Sequence, residues 1–359
     1  MTAKAPRGRR WRLALVAGVA LALAPGTFLR TPIGSRSDRA EVTVTPRPER
    51  TGVSGDLALT GVWELSSRHS WFGGFSALVA DGGQALVAGT DRGFLLDLDL
   101  AGPAPRAVPG SFRFAGITNR RREEIVDLES LARDPATGTL WAGFEGENLV
   151  MRLTPGAPHR EWIPPAMKDW SYNSGPEAMT RLKDGRFLVI AEGAERDNDA
   201  LHQALLFPGD PLEGGEPLAF RFAPPADFDP VDATQLPDGR VLILLRRVAY
   251  TLPAATFDTA IAIADPAEIR AGATWRGRVI ERMQGGIFAD NFEGIAFVPS
   301  TGDPARGSIW VITDDNFSVF QRSLLVRFDF RPPSGAQTSR PASPPGHQRY
   351  HQDMVAGWG

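Results

Sequence analysis

One hairpin pattern recurs about every 50 residues along the chain, and it constrains the fold more than any other feature. In its most developed copy, Asp290-Asn291-Phe292-Glu293-Gly294 leads into the strand-like run Ile295 to Val298. A turn over Ser300 to Ser308 follows, then Ile309-Trp310-Val311-Ile312, ending at Asp314-Asp315-Asn316. A hairpin returns the chain to its starting side, so both acidic ends lie on one rim.

Four more copies precede it. Phe75 to Val79 turns at Asp81-Gly82-Gly83 into Ala85 to Ala88 and ends at Asp91-Arg92-Gly93. Asp127 to Ala132 turns over Asp134 to Gly138 into Leu140 to Gly143 and ends at Glu145. Pro176 to Thr180 turns at Asp184-Gly185 into Phe187 to Ile190 and ends at Glu192. Val231 to Leu236 turns at Asp238-Gly239 into Val241 to Leu245 and ends at Arg246-Arg247. Asp-Gly between apolar runs is a strong hairpin signal, because the turn needs residues that tolerate positive φ. Aligned on their first polar positions, the copies place Ser76, Glu129, Glu177, Asp232 and Glu293 in register. The second polar ends then fall at Asp91, Glu145, Glu192, Arg247 and Asp314.

Repeats of this length, with about four short strands each, are the signature of propeller blades. The expected fold is all-β, a five- or six-bladed β-propeller over residues 57–330. Outer strands are expected at Gly93 to Leu100, Leu149 to Leu153, Ala204 to Phe207 and Ala260 to Ala264. Leu324 to Phe330 ends the region, and Leu57 to Leu65 is placed to close the ring against that last blade, which removes exposed sheet edges. A sixth blade would be assembled from the terminal strands. The 38 Gly and 30 Pro among 359 residues fit many short strands better than long helices. With no cysteine, disulfides, thiolate metal sites and a cysteine nucleophile are excluded.

The ends read differently. Lys4 to Arg12 is basic and precedes the apolar run Leu13 to Ala24, so residues 1–30 read as a signal peptide or a membrane anchor. Residues 31–56, rich in Pro, Arg, Thr and Ser, read as a linker, and 331–359 as a disordered tail. The expected location is periplasmic or secreted, with attachment to the inner membrane if the segment is retained. The formal net charge is -3, yet the first thirty residues carry only basic charges, so the folded part is acidic. An acidic surface disfavours nucleic acid and suits cations.

Carboxylates at equivalent blade positions converge on the mouth of a propeller channel. Without compensation they repel and raise one another's pKa, and a hard cation with oxygen ligands resolves the conflict. Glu129, Glu177 and Glu293 are therefore candidate ligands, with Ca²⁺ the expected ion. Asp314 is a further ligand or base, and Arg92 and Arg247 are candidates to hold an anionic substrate. Asn291 and Asn316, which flank these groups in the most developed motif, are further candidates to bind the substrate.

Several motifs resemble the phytase-like family, described as having esterase-like activity of phytase. They are Phe72-Gly73-Gly74-Phe75-Ser76 with Asp91-Arg92-Gly93; Asp127 to Ala132; Asn173 to Met179; Leu242 to Arg247; and Asp290 to Gly294 with Asp314 to Phe317. The resemblance runs from about Leu57 to Phe330. Pro176 and Ala178 stand where Phe and Gly are commoner beside Glu177, and Ser130 stands where Gly is commoner after Glu129. The resemblance implies an exported propeller hydrolase of phosphoesters or carboxyl esters, using Glu129, Glu177, Glu293 and Asp314. A propeller that only binds a ligand or an envelope protein is the alternative, since no nucleophile–base pair stands out.

Export has a direct test. A C-terminal reporter fusion is expected to be active only outside the cytoplasm, and activity inside would overturn export. Replacing Arg9 and Arg10 by Lys then tests whether transport uses the twin-arginine route.

Overall fold

The Asp-Gly turns build the hairpins through a shared side-chain device. Asp81 Oδ1 accepts from the Gly83 and Ala85 amides at 2.7 and 3.1 Å. Asp134, Asp184 and Asp238 cap the amide two residues on at 3.0, 3.1 and 3.0 Å. A glycine at φ 92°, 73°, 90° and 97° completes these turns at Gly82, Gly138, Gly185 and Gly239. The side chain supplies the turn's hydrogen bond and glycine its positive φ.

The computed structural model describes residues 18–19, 35–36, 38–48, 52–54, 57–116, 127–172, 175–195, 198–249, 255–318 and 320–330. Most of the expected signal or anchor and all of the expected disordered tail lie outside the described residues. Among those described, no helix is long and apolar enough to cross a membrane.

The strands form five antiparallel sheets. Blade one runs outward from Phe75–Ala80 through Ala85–Thr90 and Phe94–Asp99. Blade two orders Leu128–Arg133, Leu140–Phe144, Leu149–Leu153 and Arg160–Trp162. Blade three orders Pro176–Arg181, Phe187–Glu195, Asn198–Phe207 and Leu218–Phe222. Its outer edge takes a parallel addition from Thr274–Trp275, which belongs to the last connection of blade four. Blade four orders Asp229–Gln235, Val241–Ala249, Thr256–Ala264 and Arg278–Met283. Blade five orders Asn291–Ser300, Asp303–Asp314 and Leu324–Phe330, and then receives Leu57–Ser67 from the other end of the chain.

The ring therefore has five blades, not six. The terminal strands complete blade five instead of forming a blade of their own. Val42–Pro46 pairs with Trp63–Ser67, and Gly52–Ser54 pairs with Leu57–Leu59, inside the stretch whose composition suggests a linker. Each innermost strand packs against the innermost strands of both neighbours, which closes the circle.

Burial follows the same geometry. One apolar cluster fills each gap between adjacent blades. In the second strand of blade four, Leu242 and Leu244 enter the gap with blade five, while Val241, Ile243 and Leu245 enter the gap with blade three. Both faces of that strand are dry, so its sequence is a continuous apolar run instead of an alternation.

Contacts between innermost strands are close. Ser76 Oγ donates to the Leu128 carbonyl at 2.5 Å, joining blades one and two. Ser130 does the same to the Pro176 carbonyl, joining two and three. Asp232 Oδ2 accepts from the Ile295 amide at 2.7 Å, joining four and five. Between blades five and one, the link is a bare backbone approach at Gly294. A Cβ there would meet Ile312 Cγ2 at 2.7 Å, Ala77 C at 2.9 Å and Leu78 Cβ at 2.9 Å. Gly294→Ala is accordingly expected to lower stability by about 1–3 kcal/mol, the usual cost of overpacking. Chemical denaturation checks this, and an unchanged midpoint would mean that blades five and one are not packed in this way.

Candidate functional site

In each innermost hairpin the register breaks near the start of the inner strand, and blade five breaks again by its turn, between Pro299 and Ser300. The residue left out of the ladder is Ser76, Glu129, Glu177, Val231 and Glu293 in blades one to five. A β-bulge of this kind re-aims a side chain while the pairing continues on either side. Three carboxylates named from sequence, Glu129, Glu177 and Glu293, thus occupy equivalent bulges. In blade four the bulge falls at Val231, one residue before the expected Asp232. Asp232 is fully buried and spends its oxygens on the Ala233 and Ile295 amides, so it is a strand staple.

The same one-residue shift changes the second set. The residues that follow the last pair of each inner ladder are Asp91, Glu145 and Glu192 in blades one to three. Arg246 holds the corresponding place in blade four and Asp314 in blade five. Arg247, the expected arginine, turns to Asp258 on the next strand of its own blade and lies 5.2 Å from the Phe228 ring centroid. Arg246 reaches the mouth instead. It donates to Glu192, to Glu293, and to Asn291 Oδ1 at 2.9 Å. Asn291 in turn donates to Glu293 at 2.7 Å and to Asp314 at 3.3 Å. Asn291, Glu293 and Asp314 are therefore brought together as expected, but around a guanidinium.

Asn316 plays a backbone part. It sits at φ 48°, and its amide caps Asp314 Oδ1 at 2.6 Å. Phe317 follows at φ 49°, and its ring centroid lies 3.1 Å from Arg92 Cζ. Trp71 flanks the same guanidinium at 5.6 Å. Among the described residues, no hydrogen bond reaches that guanidinium, so its donors are available for an anion. The glycines of Phe72-Gly73-Gly74 make this shelf. A Cβ at Gly73 would strike Asp315 Oδ1 at 2.5 Å, and one at Gly74 would strike Phe317 Cζ at 2.5 Å. Ser76, by contrast, has its hydroxyl committed to Leu128 and is buried, which removes it as a nucleophile.

Two carboxylate triads lie on the blade two and three side. Asp127, Glu129 and Glu145 each offer an oxygen within 4.8 Å of the others, and so do Glu145, Glu177 and Glu192. Asp127 and Glu145 were not singled out as ligands from sequence, although Asp127 opens the second motif. Glu177 is 7% exposed, and no side-chain hydrogen bond reaches its carboxylate among the described residues.

Charge crowding shows in the titration of the group. Burial raises Glu129 well above the usual carboxylate range, with Glu293, Asp127 and Glu145 adding to the rise. Burial raises Glu177 likewise, reinforced by Glu192 and Glu129. Asp314 is raised by burial and by Glu293. Burial pushes Asp91 up to about 8 against the pull of Arg92, and Glu145 up to about 7 with help from Asp127 and Glu192. Glu293 is raised by burial but held back by Arg246. Arg246 itself is raised although burial opposes it, because Glu293, Glu192 and Glu177 surround it. The mouth thus holds several protons near neutral pH, or a cation in their place.

Comparison with solved structures gives propellers of low similarity. An endo-arabinase from Bacteroides thetaiotaomicron is 10% identical, with a TM-score of 0.43, over 70% of this chain and 91% of that one. An exo-1,5-α-L-arabinanase from a bovine ruminal metagenomic library is 12% identical, with a TM-score of 0.41, over 71% and 92%. A luciferin-regenerating enzyme is 11% identical, with a TM-score of 0.39, over 82% and 92%. No curated protein matches the chain. The phytase-like family model, described as "esterase-like activity of phytase", matches residues 70–317, well over half of the sequence, and the protein belongs to that family.

Proposed function

We propose that the protein hydrolyses a phosphoester or carboxyl ester at the channel mouth, with a divalent cation held by Asp127, Glu129 and Glu145. The observation that carries this is the carboxylate crowding on the blade two and three side, where the buried Glu177 carboxylate receives no hydrogen bond among the described residues. The donor set fits a hard cation. All its atoms are carboxylate oxygens, and ligands at about 2.3–2.6 Å from one Ca²⁺ lie no more than about 5 Å apart. The oxygens of each triad lie within 4.8 Å of one another, inside that limit. When bound, such an ion polarises the ester oxygen and offsets the charge that develops on it.

The chain's own groups supply the rest. Arg92, backed by Phe317 and Trp71, holds an anionic oxygen of the substrate on the blade one side. Burial raises the pKa of Glu177 well above the usual carboxylate range, which favours its protonated form and suits it as the acid that protonates the leaving oxygen. Asp314 is fixed by the Asn316 amide and by Asn291, and faces the same space as an acceptor. Glu293 differs from its expected role as a ligand. Its carboxylate is occupied by Arg246 and Asn291, and it holds those donors in place. Export to the periplasm or beyond belongs to the same proposal, on the strength of the basic and apolar N-terminal segment.

Two measurements bear on this. Glu177→Gln is expected to lower hydrolysis of a chromogenic phosphoester or carboxyl ester by about 10²-fold or more, the usual contribution of a general acid. Failure of wild type to cleave either class at any pH would leave a propeller that only binds. The second is pH-dependent melting without metal. Asp91 and Glu145 titrate at about 8 and about 7 in the fold, above their unfolded values. The folded protein therefore holds more protons across that window, and stability falls as pH rises through it. Melting temperature in chelator is expected to drop from pH 5 to pH 9. Ca²⁺ should restore it most at the alkaline end, by about 2.7 kcal/mol at a hundredfold excess over Kd. A Ca²⁺ shift that is the same at both ends, or absent, would remove the cation from the mouth.

A further inference from the structure

We propose that Arg246 takes the place of a second cation, so that the mouth accepts one divalent ion and not two. This rests on the cation proposal above and concerns the number of ions that the site holds.

The two carboxylate triads share Glu145. Paired sets with a common carboxylate are the arrangement that elsewhere holds two ions about 3.5–4 Å apart. Here the sets are unequal. No guanidinium donates to Asp127, Glu129 or Glu145 among the described residues. In the second set, Glu192 is paired with Arg246, which also grips Glu293 and lies within electrostatic reach of Glu177. The guanidinium thus draws on two of the three acids that a second ion would need, Glu177 and Glu192.

Its position in the ring explains how it arrives there. At the equivalent place the other blades carry Asp91, Glu145, Glu192 and Asp314, and only blade four presents a base. The Arg246 side chain is 14% exposed, and its Nε is buried without a partner. It is held from two sides, by Glu192 of blade three and Glu293 of blade five, so it is not a loose surface arginine. A guanidinium is a permanent single charge with planar donors, and it does not dissociate as an ion does. It satisfies Glu192 and Glu293 at all times and repels a divalent ion from their side. Glu177 is left between the two halves, nine-tenths buried and with no hydrogen bond to its carboxylate among the described residues, next to Glu145 on one side and Glu192 on the other. The first triad's ion therefore keeps Asp127, Glu129 and Glu145, and a second ion would find no carboxylate in the other set that Arg246 does not already affect.

Calorimetric titration of the whole protein with Ca²⁺ tests this by counting ions per chain. Wild type is expected to bind one, Arg246→Lys one, and Arg246→Gln two. Two ions on wild type, or one on Arg246→Gln that remains folded by circular dichroism, would overturn the role of Arg246. No ion on wild type would overturn the cation proposal itself, a different failure. Should Arg246→Gln not fold, Glu192→Gln decides the matter: it leaves the first triad whole and is expected to keep one ion with Kd changed less than about threefold, well under the factor of ten that 1.4 kcal/mol represents. Loss of that ion would place Glu192 in the occupied site and sink the proposal.

Discussion

Five antiparallel ladders cannot stay in perfect register where their inner strands meet around one axis, and the fold depends on how that conflict is relieved. Each blade relieves it with one extra residue near the start of its inner strand. The skipped residue gives up its place in the ladder, and its side chain is freed from the alternation that sends its neighbours into the apolar gaps. Position in the repeat, and not the local motif, therefore decides which residues can reach the mouth. The scaffold offers five such places, and the chain fills them with Ser76, Glu129, Glu177, Val231 and Glu293.

Filling them with carboxylates is costly. Two like charges about 4 Å apart at the effective dielectric near a protein surface repel by about 4 kcal/mol. A fold with net stability of about 5–15 kcal/mol does not carry several such pairs uncompensated. The compensation differs around the ring. On the blade four and five side it is covalently built in as Arg246, which holds Glu293 back and also pulls on Glu177, while Glu129 rises with no such counterweight among its causes. On the blade two and three side, among the described residues, no guanidinium donates to Asp127, Glu129 or Glu145, and Arg246 pairs only with Glu192. The mouth is asymmetric in charge although nearly five-fold in backbone, and on the proposed function that asymmetry would orient the substrate. An anion entering between Arg92 and the triads meets a positive group on the blade one side and acids on the other.

Much of this was legible in the sequence. The turn signals at Asp81, Asp184 and Asp238 located hairpins because the side-chain cap and the glycine φ are both local properties. The closing role of Leu57 to Leu65 was legible for a topological reason: a strand without a hairpin partner at one end needs a neighbour at the other. What was not legible depends on contacts between blades. Asp232 matched the acidic pattern, but only the ladder shows that Val231 is the bulge and that Asp232 ties the Ile295 amide. The choice between Arg246 and Arg247 follows from that single residue, because neighbours in a strand point to opposite sides. Residues 42–54 look like a linker by composition, since an edge strand on an already closed blade needs few apolar side chains; Val42 and Val44 suffice. Blade number was ambiguous for the same reason. Counting hairpins gives five, and only the pairing of Leu57–Ser67 with Leu324–Phe330 shows that the terminal strands add no sixth.

The family match and the mouth geometry speak to different levels. Family membership carries the scaffold and the motif order, and a scaffold does not fix chemistry. The chemistry lies in the departures from five-fold repetition. Ser76 and Val231 are the two bulges without a carboxylate, in blades one and four, and the two basic groups, Arg92 and Arg246, belong to those same blades. Acid is absent from the bulge in each blade that brings a guanidinium to the mouth. The carboxylates at the bulges come from blades two, three and five and the guanidinia at the mouth from blades one and four, with Arg92 beside Asp91 of its own blade and Arg246 paired to Glu192 of blade three and Glu293 of blade five.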